Sequence, residues 1–191
     1  MRMMNILWDF DGTLFNTYPA YTDTIYEVLE GQASKQEIMS HLKISFSHME
    51  KHYHLTEVHK TKILELKKNF HPSQTPPFPF LEKVLQSADN NVIMTHKSRK
   101  GVTEILSYYG WLDYFQEMVT KEDGFPRKPD PASYIYLHDK YKLDLAIGDR
   151  ELDILPAKAI GIQTCLFQNN TPGADYYLAS YEEFEKIMKL N

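Results

Sequence analysis

The sequence predicts an α/β fold: a Rossmann-like parallel sheet with helices on both faces, plus a small all-helical segment inserted after the first strand. Three observations predict it. The apolar run Met4-Asn5-Ile6-Leu7-Trp8 ends at Asp9-Phe10-Asp11-Gly12-Thr13, as a buried strand does when it feeds a polar loop. From about residue 17 to residue 70, apolar side chains recur at helical spacing with no strand among them. From residue 79 onward, short apolar runs alternate with helix-period segments, which implies strands joined by crossover helices.

In order, residues 4–8 form the first strand. Tyr18, Tyr21, Ile25, Val28 and Leu29 then recur at helical spacing, and so do Ile38, Leu42, Leu55, Val58, Ile63 and Leu66. Ser34 with Glu37 reads as a capping box, and Thr56 ahead of Glu57 as a further helix start. This stretch therefore holds three or four short helices. The segment from Pro72 to Pro79, rich in proline, breaks regular structure and serves as a linker. Beyond it the predicted order is helix 79–88, strand 91–95, helix 98–109, a strand near 116–120 and helix 131–141. Strand 143–148, helix 151–160, strand 162–167, a short strand near 176–178 and helix 181–189 follow. The division is an α/β core of residues 1–15 and 79–191 and a helical cap of residues 16–78. The cap is expected to cover the carboxyl ends of the strands, where such sheets place their ligands.

Composition narrows the function classes. A hydrophobic content of 42% with 25% charged residues suits a globular chain. A net charge of −5 gives no reason to expect nucleic acid. Residues 16–78 carry seven acidic and seven basic side chains, which leaves 19 acidic against 14 basic in the α/β part, where an acidic metal site would lie. The single cysteine, Cys165, cannot close an intrachain disulfide, so a reducing cytoplasm is expected and a buried, inert thiol is the simpler reading. No apolar run reaches the roughly 20 residues of a membrane span. Asp9 and Asp11 interrupt the apolar start before a signal-peptide core forms.

The chemistry starts at Asp9 and Asp11. Two carboxylates two residues apart on an extended backbone lie on one side and repel unless a cation or a shared proton relieves them. Gly12 permits a tight turn, and Thr13 offers a hydroxyl and an N–H. This is the layout of metal-assisted phosphoryl transfer, with one carboxylate as nucleophile and the other as proton carrier. Further polar groups fall at other predicted strand ends. Thr95 precedes His96-Lys97-Ser98 and offers a hydroxyl to a phosphate oxygen. Lys128 sits in a proline-stiffened loop, where Asp130-Pro131 resembles an N-cap with proline at N1. Asp149 follows Gly148 at the end of an apolar strand, and Asp153 lies one helical turn on. Asp9, Asp149 and the Asp11 carbonyl suit a hard cation such as Mg²⁺.

Taken together, Asp9-Phe-Asp-Gly-Thr13, Thr95, Lys128-Pro129 and Gly148-Asp149-Arg-Glu-Leu-Asp153 resemble the haloacid dehalogenase-like superfamily, in its phosphoglycolate-phosphatase-like branch with a small helical cap. The resemblance spans nearly the whole chain. It implies a phosphatase acting on a small phosphorylated metabolite. Asp9 would become an aspartyl-phosphate; Asp11 would protonate the leaving alkoxide and then deprotonate water. Asp9, the Asp11 carbonyl and Asp149 would hold Mg²⁺, with Asp153 as a further ligand or an acceptor behind it. Thr95, Lys128 and N–H groups near Gly12, Thr13 and His96 would hold the phosphate. The sequence departs from the branch at Asn16-Thr17, where an acidic residue is common, and at His96, a candidate substrate contact. A phosphosugar mutase is the alternative; a dehalogenase has no use for Asp11, and a non-catalytic binding protein has no use for the full set. The substrate and the choice between monomer and homodimer are not specified.

Six of the eight histidines (41, 48, 52, 54, 59 and 71) fall in the insertion. His48 and His52 have metal-sharing spacing, yet no completing ligand is evident, and a solvated helix face is the simpler reading. Phe15, Tyr18, Tyr21 and Phe46 are expected in the core of the cap rather than in a pocket.

Overall fold

The computed structural model describes residues 4–188. They divide into two compact units, one made of the residues up to Phe15 and from Pro77 onward, the other of Asn16–Pro76. The first unit is built on a six-stranded, all-parallel sheet in the order β3-β2-β1-β4-β5-β6. Its strands are β1 (Asn5–Trp8), β2 (Asn90–Met94), β3 (Phe115–Val119), β4 (Leu145–Gly148), β5 (Gln163–Phe167) and β6 (Tyr176–Leu178).

The two-residue period of the strands feeds two cores. Ile6 and Trp8 of β1 join Ile93, Ile147, Cys165 and Phe167 on one face, packed with α5 (Leu81–Ser87), α6 (Arg99–Tyr109) and α9 (Phe184–Met188). Leu7, Val92, Met94 and Ala146 point the other way, against Tyr134 and Leu137 of α7 (Ala132–Tyr141) and Ala157 of α8 (Glu151–Ala159). Near-continuous apolar strands follow from burial on both faces. The buried Trp8 indole is satisfied by a hydrogen bond to Asn91 Oδ1 at 2.9 Å.

The second unit contains α1 (Tyr18–Val28), α2 (Lys35–Ile44), α3 (Phe46–His52) and α4 (Glu57–Lys68) around their own core of Ile25, Ile38, Leu42, Met49 and Ile63. Ser34 and Glu37 form the expected capping box; at Thr56 the reciprocal partner is His59. Among the described residues, no helix is long and apolar enough to cross a membrane.

Several local expectations need correction. Phe15 packs in the sheet core, while Tyr18, Tyr21 and Phe46 belong to the helical core. The 181–189 segment begins as a 3₁₀ turn, Tyr181–Glu183, before α9, and its last residue lies outside the described residues. The proline-rich stretch holds one 3₁₀ turn, Pro72–Gln74, capped by His71. Pro131 is itself the cap residue of α7 rather than its first turn, with the Asp130 carboxylate accepting from the Ala132 N–H at 2.9 Å. Three of the cap histidines also touch one another while His52 stays exposed and His41 and His48 half-buried: His41 stacks on His52 at 3.7 Å, and its Nδ1 lies 3.0 Å from His48 Nε2.

Candidate active site

Strand order positions the site. β1 lies between β2 and β4, so the chain leaves it toward opposite edges of the sheet, and the carboxyl ends of these three strands meet where a crevice opens. The backbone fixes the first residues past the strands. The Asp9 N–H donates to the Ile147 carbonyl at 2.9 Å, and the Thr95 N–H to Val119 at 2.9 Å. Beyond Asp9 the chain reverses tightly, with Leu14 and Phe15 donating back to the Phe10 carbonyl. Gly12 turns at φ 85°, a conformation that favours glycine. Its N–H donates to the Phe15 carbonyl at 2.8 Å, so that donor closes the turn and is not directed at a phosphate, contrary to expectation.

Asp9, Asp149 and Asp153 are buried, and each offers an oxygen within 4.8 Å of the others. Lys128 threads between two of them, its ammonium donating to Asp9 Oδ1 at 2.7 Å and to Asp153 Oδ1 at 2.9 Å. The Thr13 hydroxyl lies 3.3 Å from Asp9 and 3.4 Å from Asp149. Gly148 is required for a different reason from Gly12. A Cβ there would lie 2.2 Å from the Asp153 Cβ, so only glycine lets the aspartate close against the strand end.

The electrostatics separate the carboxylates. Burial, reinforced by repulsion from Asp153, lifts the Asp9 carboxyl to about 6 against the pull of Lys128 and Arg150. Burial pushes Asp153 the same way, but Arg150 and Lys128 outweigh it and hold the carboxyl at about 2. Burial alone would lower Lys128; the charges of Asp153 and Asp9 overcome it and keep the ammonium protonated.

Other predicted residues fall around this cluster. Asp11 is half-buried, with Lys97 Nζ 3.3 Å from its Oδ1. The buried Thr95 hydroxyl accepts the Lys97 N–H at 3.2 Å. His96 is tied to the Lys128 backbone, its Nε2 accepting that N–H at 3.0 Å. Sequence reasoning passed over Lys97 and Arg150. Arg150 grips Asp153 through Nε and Nη2 at 3.2 and 3.1 Å and lies 3.9 Å from Asp9 and 3.8 Å from Asp149. Its signal was present: an arginine three residues before an aspartate at a helix start, with the two side chains free to meet.

The model of the haloacid dehalogenase-like hydrolase family matches residues 6–167, from the first strand to the fifth. The chain belongs to that family. Among relatives of the hydrolase, a phosphoglycolate phosphatase of Vibrio parahaemolyticus is 36% identical over 86 residues, 42% of this chain and 37% of the relative. The chain thus spans little more than a third of that relative's length. A phosphoglycolate phosphatase of Psychrobacter arcticus is 24% identical over 185 residues, covering 83% of this chain and 80% of the relative. The crystal structure of a Lactobacillus plantarum protein, provisionally named phosphoglycolate phosphatase, superposes with a TM-score of 0.83 at 18% identity. It covers 98% of this chain and 100% of the other, a likeness of fold.

Proposed function

We propose that this hydrolase is a Mg²⁺-dependent phosphatase that cleaves a small phosphorylated metabolite through an aspartyl-phosphate at Asp9. The observation that carries the reading is the buried constellation of Asp9, Lys128, Asp149 and Asp153 at the ends of β1 and β4. The donor set fits a hard divalent cation, because three buried carboxylates converge there and Lys128 and Arg150 bring only two positive charges to them. Asp9, Asp149 and the Asp11 carbonyl are the residues that would hold Mg²⁺. The oxygens of Asp153 already accept from Lys128, from the Arg150 side chain and from the Arg150 N–H, which supports reading it as an acceptor behind the metal rather than a direct ligand. Bound there, the ion offsets the charge of a phosphate dianion that an aspartate nucleophile otherwise repels.

The protein residues divide the remaining work. An Asp9 carboxylate oxygen attacks phosphorus as the ester P–O bond breaks, and protonated Asp11 gives its proton to the departing alkoxide. Asp11, now a carboxylate, takes a proton from water; the resulting hydroxide attacks the same phosphorus and releases Asp9 with inorganic phosphate. Lys128 balances charge on the nucleophile and the transferring group, and the Thr95 hydroxyl donates to a phosphate oxygen. The helical unit Asn16–Pro76 is assigned the cap's task of choosing the substrate, and cytoplasmic placement suits the single buried Cys165.

Phosphoglycolate is the first substrate to test, because relatives from Vibrio and Psychrobacter carry that activity in their names. Phosphate release is measured across phosphoglycolate, sugar phosphates, nucleotides and amino-acid phosphates, with Mg²⁺ and with chelator. Turnover of at least one ester that requires Mg²⁺ is expected; no hydrolysis of any ester refutes the reading.

A further inference from the structure

Lys128 reaches Asp9 and Asp153 only while its loop holds the backbone in register, and that loop leans on an imidazole from another part of the chain. His96, on the turn after β2, accepts the Lys128 N–H through Nε2 at 3.0 Å. An acceptor Nε2 requires the neutral ring with its proton on Nδ1, since imidazolium has donors only. The surroundings favour that form. Burial above all, then the charges of Lys128, Arg127 and Arg150, hold His96 down to about 4, with Asp153 pulling weakly the other way.

We infer that His96 is a positioning residue whose neutral imidazole anchors the Lys128 backbone and thereby aims the lysine ammonium at Asp9 and the transferring phosphoryl group. The anchoring contact stands on the 3.0 Å bond alone; the phosphoryl target rests on the phosphatase reading. The distinction from a substrate contact is chemical. A ring nitrogen that accepts a backbone N–H is committed to the protein, so His96 acts through Lys128 rather than on the ester. A displacement of about 1 Å in a group aligned on reacting atoms costs on the order of 100-fold in rate, which sets the scale of what the anchor protects.

Two measurements test it. Long-range ¹H–¹⁵N correlation spectra of the histidine-labelled, substrate-free protein, assigned with His96→Ala, report the tautomer directly. A neutral ring with Nδ1 protonated and Nε2 bare, persisting below about pH 5, is expected; a proton on Nε2, or titration near the ordinary 6.5, overturns the anchor. The second is a double-mutant cycle read as orthovanadate affinity in the presence of Mg²⁺. His96→Ala should weaken vanadate binding about 10-fold when Lys128 is present and less than about twofold in Lys128→Met. His96→Gln, which keeps an acceptor oxygen, should recover most of the loss. Equal losses in both backgrounds overturn the inference. Should the wild-type protein neither hydrolyse phosphate esters nor bind vanadate, the phosphatase reading fails and the phosphoryl target with it. The spectra, which need no activity, still decide the anchor, and His96→Gln provides the assignment should His96→Ala fail to fold.

Discussion

Asp9 is pulled in opposite directions by its neighbours, and that balance defines its use. Burial and Asp153 favour the protonated acid, while Lys128 and Arg150 favour the carboxylate. Replacing it by asparagine keeps the shape and removes the nucleophile. Asp9→Asn is expected to lose more than about 1,000-fold in phosphate release with an unchanged circular dichroism spectrum; appreciable residual Mg²⁺-dependent turnover refutes the assignment. His96 makes a prediction about stability. Its folded value, about 4, lies below the ordinary 6.5, so the unfolded chain binds more protons between those two values. The His96 contribution is therefore complete above about pH 6.5, is lost progressively as pH falls toward about 4, and is constant below. Urea midpoints compared between wild type and His96→Gln over this window should converge toward the acid end, with the variant the flatter of the two.

At the scale of elements, turns and strand ends decide more than propensity does. A methyl group at Gly148 would meet Asp153 at 2.2 Å, and the helix start of α8 leaves the aspartate little room to retreat. Gly148→Ala is expected to destabilise the α/β unit by about 1–3 kcal/mol, read from urea midpoints, and to impair phosphate release. Ser34→Ala removes the N-cap of α2 and should cost about 1 kcal/mol, seen as roughly fivefold faster amide exchange in that helix. Elements such as α2 and β4 were legible because caps, apolar period and glycine placement all agree within a short window. Asp9, Asp11 and Asp149 stood out as residue types past strand ends, Lys128 in its proline-stiffened loop and Asp153 one helical turn past Asp149. What sequence could not show is contact across the sheet: the Lys128 ammonium shared by two aspartates, Arg150 coming within 3.9 Å of Asp9, and His96 holding a distant backbone N–H. Each depends on side-chain directions that no periodicity encodes. Gly12 shows the converse, since the turn was predicted while the closure that occupies its N–H was not.

For the whole molecule, a cation that binds the folded carboxylate cluster and not the unfolded chain must raise stability by mass action. Added Mg²⁺ is expected to raise the melting temperature, with each tenfold increase beyond saturation adding about 1.4 kcal/mol, and chelation should reverse it. An Asp149→Ala protein that responds equally to Mg²⁺ would locate the ion elsewhere. The strand order has a further consequence, for assembly in time. Asp9 is synthesised early, yet the carbonyl that pins its N–H belongs to Ile147, and β1 pairs with β2 on one side and β4 on the other. At about 5–20 residues per second, a ribosome leaves β1 with one bare edge for several seconds after it emerges. During that interval the apolar first strand can pair with another nascent chain as readily as with its own. Late arrival of β4 therefore leaves the first strand open to mispairing until residues 145–148 have been made.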